Sequence, residues 1–229
     1  MRGIVRTLLC CLLLLCLCFG APAEPAPGSL VTFGRYEQDR RTDNGPEPVE
    51  WLVLETAGDR ALLISRYVLD THSYHPVYRA VTWETCTLRQ WLNGEFLNAA
   101  FTPEEQAAIC LTRVDNGKAQ QKPEYHTDGG RDTEDRIFLL SYAEAWKYFP
   151  AAKDRRCRPT PLAKARGAYI RSGYCWWWLR SPGYFDEVNL SVFCGGAAHN
   201  CHIFTTAGGV RPALWAETKA LTALPPAER

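Results

Sequence analysis

The residues with the strongest chemical character lie late in the chain. Three successive tryptophans, Trp176, Trp177 and Trp178, lead into Arg180, and the segments that follow carry Tyr184, Asp186, Asn189, His199 and Asn200. A tryptophan outside a core offers a large apolar ring with one polar N–H, suited to stacking on a sugar or a peptide. An arginine presents a planar fork that grips carboxylate or phosphate with two parallel hydrogen bonds. Trp177 and Arg180 are therefore expected ligand-binding residues. The competing role for each is structural. On a strand, Trp176 and Trp178 must face one way and Trp177 the other, so at least one side is expected to be core. Arg180 and Arg211 read more readily as partners of an internal acid, with Asp135 and Glu50 as candidates.

The sequence carries no Gly-x-Ser-x-Gly elbow, no His-Glu-x-x-His and no phosphate-binding loop. His72, His75 and His126 stand in polar stretches with no nucleophile at a recognisable spacing. Asp128, Asp132, Glu134 and Asp135 lack the alternating spacing of a calcium loop, and Cys194, His199, Cys201 and His202 lack the paired Cys-x-x-Cys of a zinc site. The expectation is a protein without catalysis, metal or cofactor. Two of its cysteines nevertheless suggest a bond. Leu190–Phe193 and Ile203–Thr205 flank a six-residue Gly-rich connection, and a hairpin there sets Cys194 opposite Cys201. Facing Cβ atoms lie about 4.5–5.5 Å apart, close to the roughly 3.5–4.5 Å of a disulfide. Free thiols are the alternative.

Several elements must position these groups. Residues 1–23 read as a secretory signal: Arg2 and Arg6 precede the apolar run Leu8–Phe19, and Ala21-Pro22-Ala23 offers small-residue cleavage before Glu24. The run is shorter than the ~20 residues of a spanning helix, so no stable membrane span is expected after cleavage. Cleavage removes four of the 10 cysteines, Cys10, Cys11, Cys16 and Cys18. It also takes the 26 basic residues to 24 against 25 acidic ones, a net of −1. So even a balance argues against a nucleic-acid partner, and 46% hydrophobic residues argue against disorder. Residues 24–29, with Pro25 and Pro27, form a linker. Strands are expected at Leu30–Tyr36, Val49–Glu55 and Ala61–Leu69. A helix capped by Thr85 or Thr87 runs through Leu88, Trp91, Leu92, Leu97 and Ala100. Thr102 and Ser141, each followed three residues later by Glu, open two more helices with capping boxes. Residues 114–133 read as a long loop and Ile137–Leu140 as a short strand. Cys175–Arg180, Leu190–Cys194, Cys201–Thr205 and Val210–Trp215 supply the late strands, and residues 217–229 a fraying tail. The fold expected is a single α+β domain over 30–216, with antiparallel strands flanking a central helical segment.

Phe33-Gly34-Arg35-Tyr36, Glu50-Trp51-Leu52-Val53-Leu54, Leu62-Leu63-Ile64-Ser65, Leu88-Arg89-Gln90-Trp91-Leu92-Asn93, Phe138-Leu139-Leu140-Ser141, Trp177-Trp178-Leu179-Arg180-Ser181-Pro182-Gly183 and Val210-Arg211-Pro212-Ala213-Leu214-Trp215 occur in that order. Together they resemble an uncharacterised bacterial family of domains of unknown function, often found on secreted or surface proteins, over about residues 30–216. More distantly, the chain resembles the C-type-lectin-like fold, in the branch that includes formylglycine-generating enzymes. That resemblance implies that the first and last strands pair, and that the loop Ser181–Asn189 and the turn Gly195–Asn200 share one exposed face, which adds Tyr184, Asp186, Asn189, His199 and Asn200 to the expected ligand-binding residues. The calcium-binding tripeptides of sugar-binding C-type lectins, Glu-Pro-Asn, Gln-Pro-Asp and Trp-Asn-Asp, do not occur. The function expected is an exported, non-enzymatic binding or display module, secreted or on the cell surface, for an extracellular glycan or protein. The alternatives are a copper-dependent oxidoreductase of the formylglycine-generating kind, using two of Cys175, Cys194 and Cys201, and a structural surface domain without a small ligand.

Overall fold

The computed structural model describes residues 25–117, 121 and 125–224; the expected signal peptide lies outside them. Strand β1 (Leu30–Tyr36) occupies the span that its sequence suggests. It pairs antiparallel with β2 (Glu47–Ala57), which pairs with β3 (Arg60–Ser65) across the Gly58–Asp59 turn. Val49, Trp51 and Val53 alternate along β2 and are all buried, the period-two pattern of a strand with one face in a core. The Trp51 indole N–H donates to the Phe33 carbonyl at 2.8 Å, so its single polar atom is satisfied inside.

After β4 (Asp70–Thr71) the chain becomes helical. Helix α1 (Thr87–Trp91), a π turn over Leu92–Phe96 and α2 (Leu97–Ala100) form one irregular run. Its cap is Cys86, whose Sγ accepts the Arg89 N–H at 3.4 Å. The expected Thr85 is turned away, accepting the Thr82 N–H instead, and Thr87 donates to the Tyr74 carbonyl. Helices α3 (Pro103–Ala108) and, later, α4 (Tyr142–Tyr148) begin with the capping boxes expected from Thr102/Glu105 and Ser141/Glu144. Strands β5 (Thr112–Val114) and β6 (Thr133–Asp135) pair at the two ends of the stretch expected to be all loop.

Residues 137–140 do not make the expected strand; Phe138 alone forms a bridge, with Ala213. Side chains occupy the neighbouring backbone groups. Asn93 accepts the Ile137 N–H and donates to its carbonyl, and the Arg180 guanidinium donates to the Leu139 carbonyl. Short helices α5 (Ala152–Arg155) and α6 (Pro161–Ala165) follow, then the small hairpin of β7 (Ile170–Arg171) and β8 (Tyr174–Cys175). The last strands are β9 (Trp177–Pro182), β10 (Val188–Val192), β11 (Ala198–His202), β12 (Gly209–Val210), β13 (Ala213–Glu217) and β14 (Thr222–Ala223).

Two five-stranded sheets result, in the orders β13-β3-β2-β1-β14 and β11-β10-β9-β12-β4. Their neighbours run antiparallel except β12 beside β9. That contact depends on glycine: a Cβ on Gly208 would lie 2.0 Å from Nε1 of Trp178, and one on Gly209 2.4 Å from the Trp176 carbonyl. The chain passes from the second sheet to the first at Arg211-Pro212. The first strand pairs with the last, Val31 opposite Ala223. The expectation of a tail fraying from residue 217 is thereby corrected through Leu224, whose N–H donates to the Leu30 carbonyl. The fold is mixed α+β, mostly strands with a few short helices.

Candidate functional site

The late tryptophans belong to the core. Trp176, Trp177 and Trp178 are all buried. Trp176 and Trp178 share a side, with ring centroids 4.7 Å apart edge to face. The Trp177 indole N–H donates to the Arg155 carbonyl and that of Trp178 to the His72 carbonyl. Trp177, expected to meet a ligand, has no exposed surface. Asn189 is buried as well, its amide donating to the Leu179 carbonyl at 2.6 Å.

Arg180 is also internal, and its partner is Glu144 rather than Asp135 or Glu50. The guanidinium grips both Glu144 oxygens and donates to the Leu139 and Asp115 carbonyls. Burial pushes the Glu144 carboxyl up, but the Arg180 guanidinium and the Ser141 N–H outweigh it and hold the group below the usual carboxylate range. Asp135 is already taken by Arg89, Trp83 and Thr133, and Glu50 by Arg66. Arg211 has no carboxylate partner among the described residues, which corrects the ion pair expected for it. It donates to the Ser65 carbonyl and lies 5.1 Å from the ring centroids of both Phe149 and Trp177.

Cys194 and Cys201 are free thiols, and the hairpin register explains why. The turn is tighter than the glycines suggest: Val192 faces Ala198, the Phe193 N–H donates to the Ala197 carbonyl, and Cys201 faces Asn189. Cys194 falls inside the turn instead of opposite Cys201. Cys175 faces a different thiol, Cys157, across an isolated bridge, and burial pushes both thiols up in pKa. The same register places the loop after β9 and the turn after β10 at opposite ends of the hairpin, some 13 Å apart at about 3.4 Å per residue. They do not share the single face expected.

His199 lies against Phe193 at the turn end, with centroids 5.1 Å apart and the rings tilted. Tyr184, Asp186 and Asn200 gather at the other end, where the Tyr184 N–H donates to the Asn200 side chain. This end carries a group of exposed aromatic residues. Phe185 is 63% exposed, Tyr78 62% and Phe204 43%. Tyr78, His202 and Phe204 contact one another, as do Tyr184 and Phe185. Hydrogen bonds from Val81 to Asp186 and from Ile203 to Glu187 lace the two groups together. Tyr184 and Asp186 were legible as surface residues from the Pro-Gly turn before them; Tyr78 and Phe204 were not, because only the fold brings residues 78 and 204 to this end.

A cleft of about 550 Å³ opens beside the start of the segment that leads from His72 to Tyr78. His72 and Trp91 form its aromatic wall, with centroids 4.0 Å apart, and Ser73, Gln90 and Glu95 supply polar groups. Burial lowers the His72 pKa, outweighing nearby Asp70. No residue of the cleft was singled out for binding from sequence; Gly94-Glu95 within a helical pattern is the local sign of its irregular turn. Glu37, Asp39 and Glu47 form a separate acidic trio, but each already accepts a backbone N–H, from Arg40, Arg41 and Gln38.

The arrangement defines an α+β protein with a buried polar clamp and an aromatic surface at one end of its second sheet. By comparison with family models, residues 58–218 match the domain of unknown function DUF6273, and the chain belongs to that family. No curated protein and no solved structure matches it.

Proposed function

We propose that the protein is an exported, non-enzymatic binding module, secreted or held at the cell surface, and that a polypeptide segment docks on its aromatic end. The single observation that carries this reading is the exposed cluster of Tyr78, Tyr184, Phe185, His202 and Phe204. Exposed apolar patches of this kind mark interaction sites on soluble proteins, and aromatic side chains dominate the energetic centres of protein interfaces. The cluster offers wide apolar rings and few fixed polar groups, which suits peptide side chains better than the hydroxyls of a glycan. A C-type-lectin-like relationship is supported by the pairing of β1 with β14. Oxidase chemistry at copper finds less support, because Cys175 lies deep beside Cys157 and Cys194 lies in a turn. Selection from a displayed peptide library, followed by a glycan array, tests the reading. Peptides are expected whose affinity falls about tenfold, near 1.4 kcal/mol, when Tyr78 and Phe185 are both changed to Ser. Ligands confined to the glycan array, or peptides indifferent to that double change, would overturn it.

A further inference from the structure

The His72–Trp91 cleft is distinct from the aromatic end and has a different chemical character. Its floor is fixed from behind. The His72 N–H donates to the Gly208 carbonyl, and the His72 carbonyl accepts the Trp178 indole N–H at 2.9 Å. The π turn that carries Gly94 and Glu95 is held by Asn93, which bonds to the Arg89 and Ile137 carbonyls and accepts the Arg136 and Ile137 N–H groups. Single π turns inside helices recur at functional sites. Trp91 rests on His72 to one side and on Phe96, 5.3 Å away between centroids. The polar groups around this wall are uncommitted: the side chains of His72, Ser73, Gln90 and Glu95 make no hydrogen bond or ion pair among the described residues.

The donor and acceptor inventory selects a ligand. A neutral imidazole and a glutamine amide each offer both donor and acceptor, serine offers a hydroxyl, and glutamate offers acceptors. An anion would want donors only. A cation would want more than one acid, and Glu95 is the single acid in the lining. Hydroxyl groups, each donor and acceptor at once, match the set, and the C–H face of a pyranose suits an aromatic wall. The volume lies within the range of small-molecule sites. We infer that the cleft formed by His72, Ser73, Gln90, Trp91 and Glu95 is a binding site for a neutral sugar ring.

The test titrates the full mature chain with methyl glycosides of glucose, galactose, mannose and N-acetylglucosamine, and with cellobiose and maltose. The indole N–H of Trp91 is followed by heteronuclear NMR, assigned through Trp91→Phe. Saturable movement of that resonance by at least one sugar is expected, with a millimolar or tighter dissociation constant. Glu95→Ala and Gln90→Ala, both at solvent-facing positions, are each expected to weaken binding about tenfold while the rest of the spectrum stays folded. The Tyr78/Phe185 double change should leave sugar binding intact, so failure of the peptide reading and failure of this one remain distinguishable. No movement with any of the six sugars would overturn the inference, as would movement by tetramethylammonium or phosphate alone, or binding unaffected by both cleft variants.

Discussion

Replacing Arg180 by Met removes the charge at the centre of the polar clamp and leaves an apolar chain of similar reach beside Phe138. The Arg180 side chain is 4% exposed and that of Glu144 33%. Breaking a buried pair from one side costs roughly 3–5 kcal/mol. Glu144 keeps the Ser141 N–H and partial access to water, which places its share near the low end, about 3 kcal/mol. The Leu139 carbonyl loses its charged donor, adding about 1 kcal/mol. A loss of about 4 kcal/mol corresponds to a fall in Tm of roughly 8–16 °C for a domain of this size. Urea unfolding of both proteins at pH 7 measures it. The pH dependence supplies a second check. The folded pKa of Glu144 lies below its unfolded value, so the stability it contributes is complete above the unfolded carboxyl pKa, roughly 4.3. It is lost as pH falls through the depressed folded value. The gap between wild type and Arg180→Met should therefore close in acid. A gap under about 1 kcal/mol at pH 7, or one that stays constant down to roughly pH 2.5, would refute the assignment of Arg180 as a buried structural clamp.

Further outcomes follow from other sites. Arg211→Met leaves no acid behind, so its cost should be about 1–2 kcal/mol, against roughly 3–5 kcal/mol for a broken ion pair; chemical unfolding separates the two. Thiol titration and non-reducing peptide mapping should find no Cys194–Cys201 link in the protein isolated without reductant. Gly196→Ala should abolish stable folding, because its backbone is left-handed at φ 90° and the new Cβ would lie 1.8 Å from the Ala152 carbonyl. Gly58→Ala, with φ 61° but open space around it, should cost only about 1 kcal/mol; equal thermal shifts for the two would contradict the packing.

Features set by local chemistry could be read from the sequence. Two capping boxes and the first strand each depend on a few neighbouring residues, and each stands where the sequence puts it. What depended on distant partners could not be read. Cys86 caps α1 because Thr85 is engaged by Thr82, and residues 137–140 are held by Asn93 and Arg180 in place of a strand partner. The glycine-rich spacing makes the hairpin connection look longer than it is: Ala198–Asn200 pair with β10, and that shift leaves Cys194 and Cys201 unpaired. At the site, the chemistry of Trp177 and Arg180 points to a ligand while their setting on a strand points to core and ion pair, and burial decides for the second. The exposed aromatics come from positions 78, 184, 185 and 204, whose convergence no local pattern announces.

The order of strands in the first sheet has a temporal meaning. Strands β1, β2 and β3 form a meander complete by residue 65, yet both of its outer edges are occupied by segments made last, β13 against β3 and β14 against β1. A nascent chain therefore carries an unfinished sheet with two open borders until residue 223 has been synthesised. Domains generally fold as units, and here the unit closes only when residue 223 is present. Until then the meander presents two rows of unpaired backbone N–H and C=O groups, each a template on which a strand of another chain could add.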